Sequence, residues 1–214
     1  WRADYDGVPA GIHAQRSLVR VEPHSQSRDS LMPIRYKDVF GYNDCEEVHR
    51  YVLEQLPDGA TIVELGVGHG RGIAMLLELT RQLGKHFRVV GIDNFIDTQE
   101  NLEAGYSQLS PVRVYDGLTA VGAMPDQYEL IVSDSAEAAD RFDRVNYVFL
   151  DADHSNAGVL RDMRAWWPKV VPGGFMGGHD WDFVCIRDAV RTMFPQAVIY
   201  DQHYCNSWLQ QKEV

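Results

Sequence analysis

Residues 61–72 constrain the fold more than any other stretch of this chain. They begin with a short apolar and β-branched run, residues 61–65, which is typical of a buried strand. Glycines then alternate at positions 66, 68, 70 and 72, and apolar residues follow at helical spacing from Ile73 to Leu83. Glycine is needed where the backbone turns sharply or where a ligand approaches without a Cβ in the way. A strand, a glycine-rich turn and a helix in this order predict a ligand site at the carboxyl end of the strand.

The spacing of these glycines restricts the ligand. The dinucleotide fingerprint G-x-G-x-x-G places a pyrophosphate at the amino end of a helix. The turn here reads G-x-G-x-G, and Glu64 stands two residues before the first of its glycines. A carboxylate at this point repels a pyrophosphate and attracts a cation. The alternative interpretation is an ordinary tight turn with an exposed Glu64.

Composition describes an ordinary globular chain with an acidic surface. The 214 residues are 45% hydrophobic and 24% charged, which suits one α/β domain. Lys and Arg number 20 against 31 Asp and Glu, so the net charge is −11. Such a surface is repelled by a phosphate backbone, so we do not expect nucleic acid as a partner.

Cysteine usage and hydropathy bear on location. The three cysteines are scattered and odd in number, which favours a reducing cytoplasm over a disulfide-bonded compartment. No apolar run approaches the roughly 20 residues that span a bilayer. We therefore expect a cytoplasmic protein without a membrane partner. The sequence leaves the oligomeric state open, and a homo-oligomer is one of the states that it allows.

Strands and helices alternate along most of the chain. Residues 1–43 are polar and irregular and predict an N-terminal arm or lid, whereas residues 44–214 form the main domain. Asp44 and Glu47 resemble a capping box that opens the first helix. Alternation of this kind predicts an α/β fold with a doubly wound, mostly parallel sheet covered on both faces. Further strands are expected at 87–92, 128–132, 145–150, after the Pro-Gly-Gly of 172–174, and at 198–200 and 207–209.

Three carboxylates stand where predicted strands end. Asp93 follows the second strand, Asp134 the third and Asp151 the fourth. In open α/β sheets, ligands bind outside the carboxyl ends of the strands, so these acids should gather along one rim. Asp93 can accept two hydrogen bonds from ribose hydroxyls, and Asp134 with Ser135 suits the edge of an adenine. A helix N-cap is the alternative role for each acid.

These pieces, in this order, resemble the class I S-adenosylmethionine-dependent methyltransferases. The resemblance covers about residues 60–205 and rests on the motifs at 64–70, 91–95, 134–138 and 149–154, with the Pro-Gly-Gly of 172–174. It implies a seven-stranded Rossmann-like sheet with a reversed last strand, supplied by the tail after Pro195. It also implies which residues bind S-adenosylmethionine: Gly66, Gly68 and Gly70 under the methionine part, Glu64 near its ammonium group, Asp93 on the ribose with Asn94 beside it, and Asp134 with Ser135 by the adenine.

A second group of residues points to a metal. If the fifth strand ends near Gly178, then Asp151, His179 and Asp180 lie on adjacent strand ends, where their oxygen and nitrogen atoms can hold a divalent cation. This resembles the metal-dependent small-molecule O-methyltransferases, including the catechol type. In those enzymes an Asp after the fourth strand and an Asp-Asp or Asp-Asn pair after the fifth hold magnesium. Here His179 stands where an acid is usual, which favours manganese or zinc over magnesium.

The predicted activity is methyl transfer from S-adenosylmethionine to a hydroxyl of a small molecule, assisted by the cation at Asp151. A bound cation lowers the pKa of the hydroxyl. His154, or His179 if it is not a ligand, then accepts the proton. One alternative is a metal-independent O- or N-methyltransferase with a histidine base. The other is a dinucleotide-dependent oxidoreductase or a non-catalytic nucleotide-binding protein. Asp153 with Ser155, and Asp182, are interpreted as helix caps.

Overall fold

The computed structural model describes residues 34–41, 44–97, 99–103, 105, 107–201 and 205–214. Within these residues the chain forms seven strands and six α-helices. The strands are β1 (Thr61–Leu65), β2 (Arg88–Asp93), β3 (Tyr128–Val132), β4 (Val145–Leu150), β5 (Val170–Gly178), β6 (Val198–Tyr200) and β7 (Ser207–Gln211). The helices are α1 (Glu46–Gln55), α2 (Arg71–Gln82), α3 (Gln99–Glu103), α4 (Pro111–Ala120), α5 (Asn156–Trp166) and α6 (Val184–Met193).

All seven strands belong to one sheet, in the order β3-β2-β1-β4-β5-β7-β6. Strands β1 to β5 pair in parallel, and β7 runs antiparallel to both β5 and β6. The structure thus confirms the predicted α/β sheet with its reversed last strand. The chain leaves β1 towards one edge and returns at β4 towards the other. This reversal opens a crevice between the carboxyl ends of β1 and β4, where α/β proteins bind ligands.

Helices cover both faces of the sheet because both faces of its central strands are apolar. On one face, Ile62 and Phe149 pack with the buried side chains of α1 and α2. On the other face, Val63 and Val148 pack with those of α5 and α6. Successive residues of a strand point to opposite faces. The same alternation determines on which face of the sheet the residues just after each strand lie.

One segment differs from the sequence-based expectation. The Pro-Gly-Gly of 172–174 lies inside β5 instead of before it, and a register shift between Val145 and Tyr147 accommodates it. Residues 97–127, which the pattern predicts to be partly helical without giving bounds, contain α3 and α4. The hydroxyl oxygen of Ser110 caps α4 by accepting a hydrogen bond from the N–H of Arg113, at 3.2 Å.

Residues 1–33 and 42–43 of the predicted arm lie outside the described residues, but residues 34–41 form a strap across α2. The guanidinium of Arg71 donates to the carbonyl oxygens of Tyr36 at 3.3 Å, of Lys37 at 2.8 Å and of Gly41. The Tyr36 hydroxyl donates to Glu46 on α1 at 2.7 Å. The strap is thus fixed to the first residue of α2. As for membranes, none of the helices in the described ranges has both the length and the apolar character needed to cross a bilayer.

Candidate active site

The glycine-rich turn lies against the end of β4. Gly66 has a φ of +86°, and a Cβ built on it would overlap the carbonyl oxygen of Asp151. Gly68 and Gly70 also have positive φ, at +54° and +93°, and Gly70 is the N-cap residue of α2. Only glycine adopts this conformation without strain at such a close approach. The three predicted glycines therefore form a tight turn directly beside the end of β4.

Asp93 faces this turn from the end of β2. One carboxylate oxygen accepts hydrogen bonds from the N–H groups of Val67 at 2.8 Å and Gly68 at 3.0 Å, and the other from the N–H of Phe95 at 2.6 Å. The carboxylate thus fixes the shape of the turn, a role that the sequence did not reveal. A carboxylate has about four lone-pair sites, so one remains for a ligand hydroxyl. The ribose contact of Asp93 stays a prediction, as does that of Asn94, whose side-chain oxygen accepts from the N–H of Ile96 at 2.9 Å.

Glu64 is buried in the sheet below the turn. Its side chain is 2% exposed, and its Oε2 has no hydrogen-bond partner in the described part of the chain. Burial, together with Asp151 and Asp93, raises the pKa of Glu64 well above its usual range. The alternative of an exposed Glu64 is therefore wrong. Because a buried carboxyl without a partner is costly, this position fits a cationic ligand group such as an ammonium.

The two residues predicted at the adenine have structural partners. One oxygen of Asp134 accepts from the first N–H groups of the 3-10 turn that follows, at 3.0 and 3.1 Å. Its other oxygen pairs with Arg161 at 3.0 Å. The Ser135 hydroxyl donates to the carboxylate of Asp162 at 2.7 Å. Asp134 thus holds the start of this turn although Ala136 is its N-cap residue, and the adenine contact of Asp134 and Ser135 stays a prediction.

Carboxylates and imidazoles alternate in a row along the carboxyl ends of β4 and β5. His154 Nε2 lies 3.6 Å from an oxygen of Asp151 and 3.1 Å from an oxygen of Asp180. The other oxygen of Asp180 lies 3.2 Å from His179 Nδ1, and His179 Nε2 lies 2.9 Å from Asp44. We call these five residues the acid–imidazole row. It brings all four predicted residues of the second group into one site and adds Asp44.

The charges in the row support one another. Burial would lower the pKa of His154, but Asp151 and Asp180 outweigh it and raise that pKa to about 11. Burial likewise opposes the charge of His179, whose pKa is raised by Asp180 and Cys45. The two imidazoles in turn hold the pKa of Asp180 well below its usual range, against the effect of burial. In the free protein the two imidazoles therefore serve as the cations for the acids around them.

The backbone at Asp180 is left-handed. Its φ is +58°, in the region that residues other than glycine, asparagine and aspartate rarely adopt. The side chain is 12% exposed and lies between two histidines. Residues other than glycine in this region tend to occur at functional sites. The position of Asp180 is thus consistent with a functional role.

Potential metal ligands form three groups in the described part of the chain, each with its ligand atoms within 4.8 Å of one another. The groups are Asp151 with His154 and Asp180, Asp44 with Cys45 and His179, and His179 with Asp180 and Cys205. The predicted trio of Asp151, His179 and Asp180 is not among them, because His179 Nε2 is turned towards Asp44. The geometry therefore places His154 with the two acids, and metal binding itself stays a prediction.

Two helix starts differ from expectation. Asp44 does not cap α1, whose N-cap residue is Cys45 without a side-chain cap, because its carboxylate is bound to His179. Asp182 does not cap α6 but accepts a hydrogen bond from the N–H of Asn206 at 2.8 Å. Ser155 does cap α5, as expected.

Solved structures with the same fold include methyltransferases that act on different acceptors. The O-methyltransferase NovP superimposes with a TM-score of 0.63 at 18% identity over 79% of each chain. CalS11, a TDP-rhamnose 3′-O-methyltransferase of calicheamicin biosynthesis, has a TM-score of 0.58 at 16% identity over 77% of this chain and 76% of its own. An rRNA methylase from Streptococcus thermophilus has a TM-score of 0.57 at 15% identity over 81% of this chain and 98% of its own. At these identities the likeness shows the fold alone.

A family model described as a methyltransferase domain matches residues 63–181, which is more than half of the chain. A search among curated proteins finds no match. The matched residues begin within β1, end just after β5, and include the acid–imidazole row except Asp44. They include the glycine turn, Asp93 and the orphaned carboxyl of Glu64, so the site and the family agree, and the dinucleotide alternative falls away. The chain belongs to the class I S-adenosylmethionine-dependent methyltransferases.

Proposed function

We propose that this enzyme methylates a hydroxyl oxygen of a small molecule, with a divalent cation bound by Asp151, His154 and Asp180. The observation that carries the proposal is the group of two carboxylates and one imidazole within 4.8 Å of one another. Oxygen and imidazole ligands of this kind suit magnesium, manganese or zinc. Since Gly66 touches Asp151, the group lies directly beside the turn proposed to bind the methyl donor.

The residues around the turn fit the methyl donor. Glu64 offers a buried carboxyl for its ammonium group, and the glycines of the turn let the backbone approach a ligand closely. Asp93 keeps one lone-pair site for a ribose hydroxyl. When bound, S-adenosylmethionine supplies an electrophilic methyl group on a cationic sulfur. The acids of the crevice favour that charge and orient the donor towards the acid–imidazole row.

The chain's own residues can prepare the acceptor. A bound divalent cation would lower the pKa of a hydroxyl next to it. Asp151 and Asp180 hold His154 from two sides, and its side chain is 26% exposed, so an acceptor can reach it. The contribution of these residues is mainly orientation of the acceptor oxygen and exclusion of water.

The net charge of the chain is the reason to propose a small molecule, and not a nucleic acid, as the methyl acceptor. A net charge of −11 disfavours RNA and DNA, so a small molecule is the better substrate. NovP and CalS11 are named as O-methyltransferases, which supports oxygen as the acceptor atom. The rRNA methylase among the similar folds is the reason to test the acceptor directly.

A metal-independent reaction is the second candidate. It is favoured by the position of His154, which lies 3.1 Å from Asp180 and 3.6 Å from Asp151 as an acid-oriented general base would. In that case His154 would first lose to solvent the proton that Asp151 and Asp180 favour on it. The neutral imidazole would then take the hydroxyl proton, and the two acids would stabilise the imidazolium that forms.

Chelation separates the two candidates. With labelled S-adenosylmethionine and a panel of hydroxylated small molecules, we expect EDTA to abolish methyl transfer and a divalent ion to restore it. Asp151→Asn and Asp180→Asn should lower the rate at least about 100-fold and remove the response to metal. Asp140→Asn, on an exposed turn after β3, is the matched control and should keep full activity.

The possible outcomes of these assays distinguish the candidate reactions. Activity that is insensitive to EDTA but lost in His154→Gln would support the second candidate. Methyl transfer to RNA but to none of the small molecules would contradict the proposed acceptor class. Absence of S-adenosylhomocysteine binding would contradict both candidates.

A further inference from the structure

A second cluster of metal-ligating atoms lies behind the acid–imidazole row. Asp44 and Cys45 come directly before α1, and His179 follows β5 on the face of the sheet where α1 packs. A carboxylate oxygen of Asp44, the sulfur of Cys45 and a ring nitrogen of His179 lie within 4.8 Å of one another. The Asp44 and His179 side chains are 12% and 14% exposed, and Cys45 is 1% exposed. The fold thus encloses three different ligand types in a nearly dry pocket.

Each of these three groups is oriented by an outer partner. Asp180 accepts from His179 Nδ1 at 3.2 Å, which leaves Nε2 directed into the cluster. The Ser207 hydroxyl contacts the Cys45 sulfur at 3.5 Å. The second oxygen of Asp44 accepts from the backbone N–H of Cys205 at 3.3 Å. Histidine ligands in proteins commonly have a carboxylate on the nitrogen that faces away from the metal.

We propose that Asp44, Cys45 and His179 form a second metal site, which binds a zinc-type ion. A thiolate is a soft ligand that magnesium disfavours, whereas zinc binds sulfur, imidazole nitrogen and carboxylate oxygen together. The ion binds the lone pair of His179 Nε2 and the thiolate of Cys45, and the proton of each group passes to solvent. Three protein ligands leave the fourth tetrahedral position for water.

An ion at this second site would hold two distant parts of the chain together. Such an ion joins the start of α1 to the end of β5, beside the residues proposed to bind the acceptor. It does not depend on the proposed reaction, because Asp151 and His154 are not among its ligands. Failure of one proposal is therefore distinguishable from failure of the other.

Cobalt is the probe for this site because a thiolate bound to Co²⁺ gives a charge-transfer absorption in the near ultraviolet. On titrating the whole chain with Co²⁺ alone, we expect this band to saturate at a single equivalent and to disappear when zinc is added. Cys45→Ser should remove the band. Cys185→Ser, which changes an exposed cysteine on α6, and Asp151→Asn, which changes the neighbouring group, are the controls and should keep it.

His179→Gln covers the case in which Cys45→Ser fails to fold, because it leaves the buried thiol in place. We expect it to weaken cobalt binding at least about tenfold. The proposal is overturned if the wild type shows no thiolate band, or if the band survives in Cys45→Ser. It is also overturned if Cys205→Ser removes the band, since the sulfur ligand would then be Cys205.

Discussion

At the scale of single residues, the buried carboxyl of Glu64 has different requirements in folding and in ligand binding. Burial raises its pKa well above the usual range, so folding alone favours a neutral side chain there. A cationic ligand needs the opposite, a carboxylate. Glu64 is therefore a residue that contributes to the complex and not to the stability of the free protein.

Replacement of Glu64 by Gln should show this division. We expect Glu64→Gln to bind S-adenosylhomocysteine about 10- to 100-fold more weakly, because the charge-assisted contact with the ammonium group is lost. The unfolding temperature of the free protein should stay the same or rise. Calorimetric titration and thermal unfolding measure the two effects. Glu129→Gln, on a surface pair with Arg88, is the control, and equal affinity of Glu64→Gln and wild type would contradict the role of Glu64.

His49 should make the fold sensitive to acid. Its ring is fully buried on α1 and contacts the Tyr147 hydroxyl at 3.1 Å, and burial lowers its pKa to about 3. An unfolded histidine binds a proton near pH 6.5. Between pH 6.5 and about 3 the unfolded chain therefore binds more protons. The stability contributed by neutral His49 is complete above pH 6.5 and is lost as the pH falls, by about 1.4 kcal/mol per pH unit.

The variant His49→Gln keeps a hydrogen-bonding side chain but does not titrate. We expect its free energy of unfolding to fall less steeply than that of the wild type between pH 6 and pH 5, by about 1.4 kcal/mol. Urea denaturation at each pH measures the difference. His86→Gln, at a side chain that is 91% exposed, should leave the slope unchanged. Parallel slopes for wild type and His49→Gln would show that His49 is not the group responsible.

Residue roles were predictable only where the pattern was local. The glycines and Asp93 could be found because strand ends and turns leave a signature in neighbouring residues. Asp44 was misinterpreted as a helix cap, since its partner His179 is 135 residues away and only the folded sheet brings them together. The place of His154 between two acids, and the turn of His179 away from Asp151, depend on side-chain directions that no spacing encodes.

At the scale of elements, the junction of β1 and β4 depends on the absence of one side chain. We expect Gly66→Ala to lower the free energy of unfolding by at least about 3 kcal/mol, or to prevent folding, because its Cβ would overlap the Asp151 carbonyl. Gly59→Ala is a matched control, since Gly59 has a similar φ of +79° but no atom within 4 Å of the built Cβ. It should cost only about 1–2 kcal/mol, the usual penalty for the left-handed conformation. Equal losses in urea denaturation would show that the close approach is unimportant.

Strands were predicted better than their boundaries. β3 and β4 are confirmed residue for residue, because their apolar runs are bounded by polar residues. The Pro-Gly-Gly of 172–174 indicated a break, yet β5 continues through it since the register shift beside Val145 absorbs the irregular backbone. Residues 97–127 were predicted to be partly helical, but the bounds of α4 were not, because its apolar spacing is weak. Ser110 and Pro111 at its start nevertheless form a recognisable cap.

At the scale of the whole molecule, the acidic surface should exclude nucleic acid. With S-adenosylhomocysteine present, we expect no binding of ribosomal RNA fragments at physiological salt. Such binding is driven by Lys and Arg side chains that displace counterions from the phosphates, and a net charge of −11 opposes it. Fluorescence anisotropy with labelled RNA measures this, and a basic protein of similar size is the positive control. Salt-dependent binding at micromolar RNA would contradict the small-molecule assignment.

Three backbone carbonyls of the strap, residues 34–41, share one partner, while Tyr36 also contacts Glu46 and Glu78. One guanidinium holds three of its carbonyls, so the segment should detach as a unit, and Arg71→Met should let its amide hydrogens exchange with deuterium at a common faster rate. Arg88→Met, which removes a surface pair with Glu129 away from the strap, is the control, and unchanged exchange in Arg71→Met would contradict a shared anchor. Arg71 directly follows Gly70 in the chain. A ligand that orders the glycine turn should therefore also slow amide hydrogen exchange in the strap.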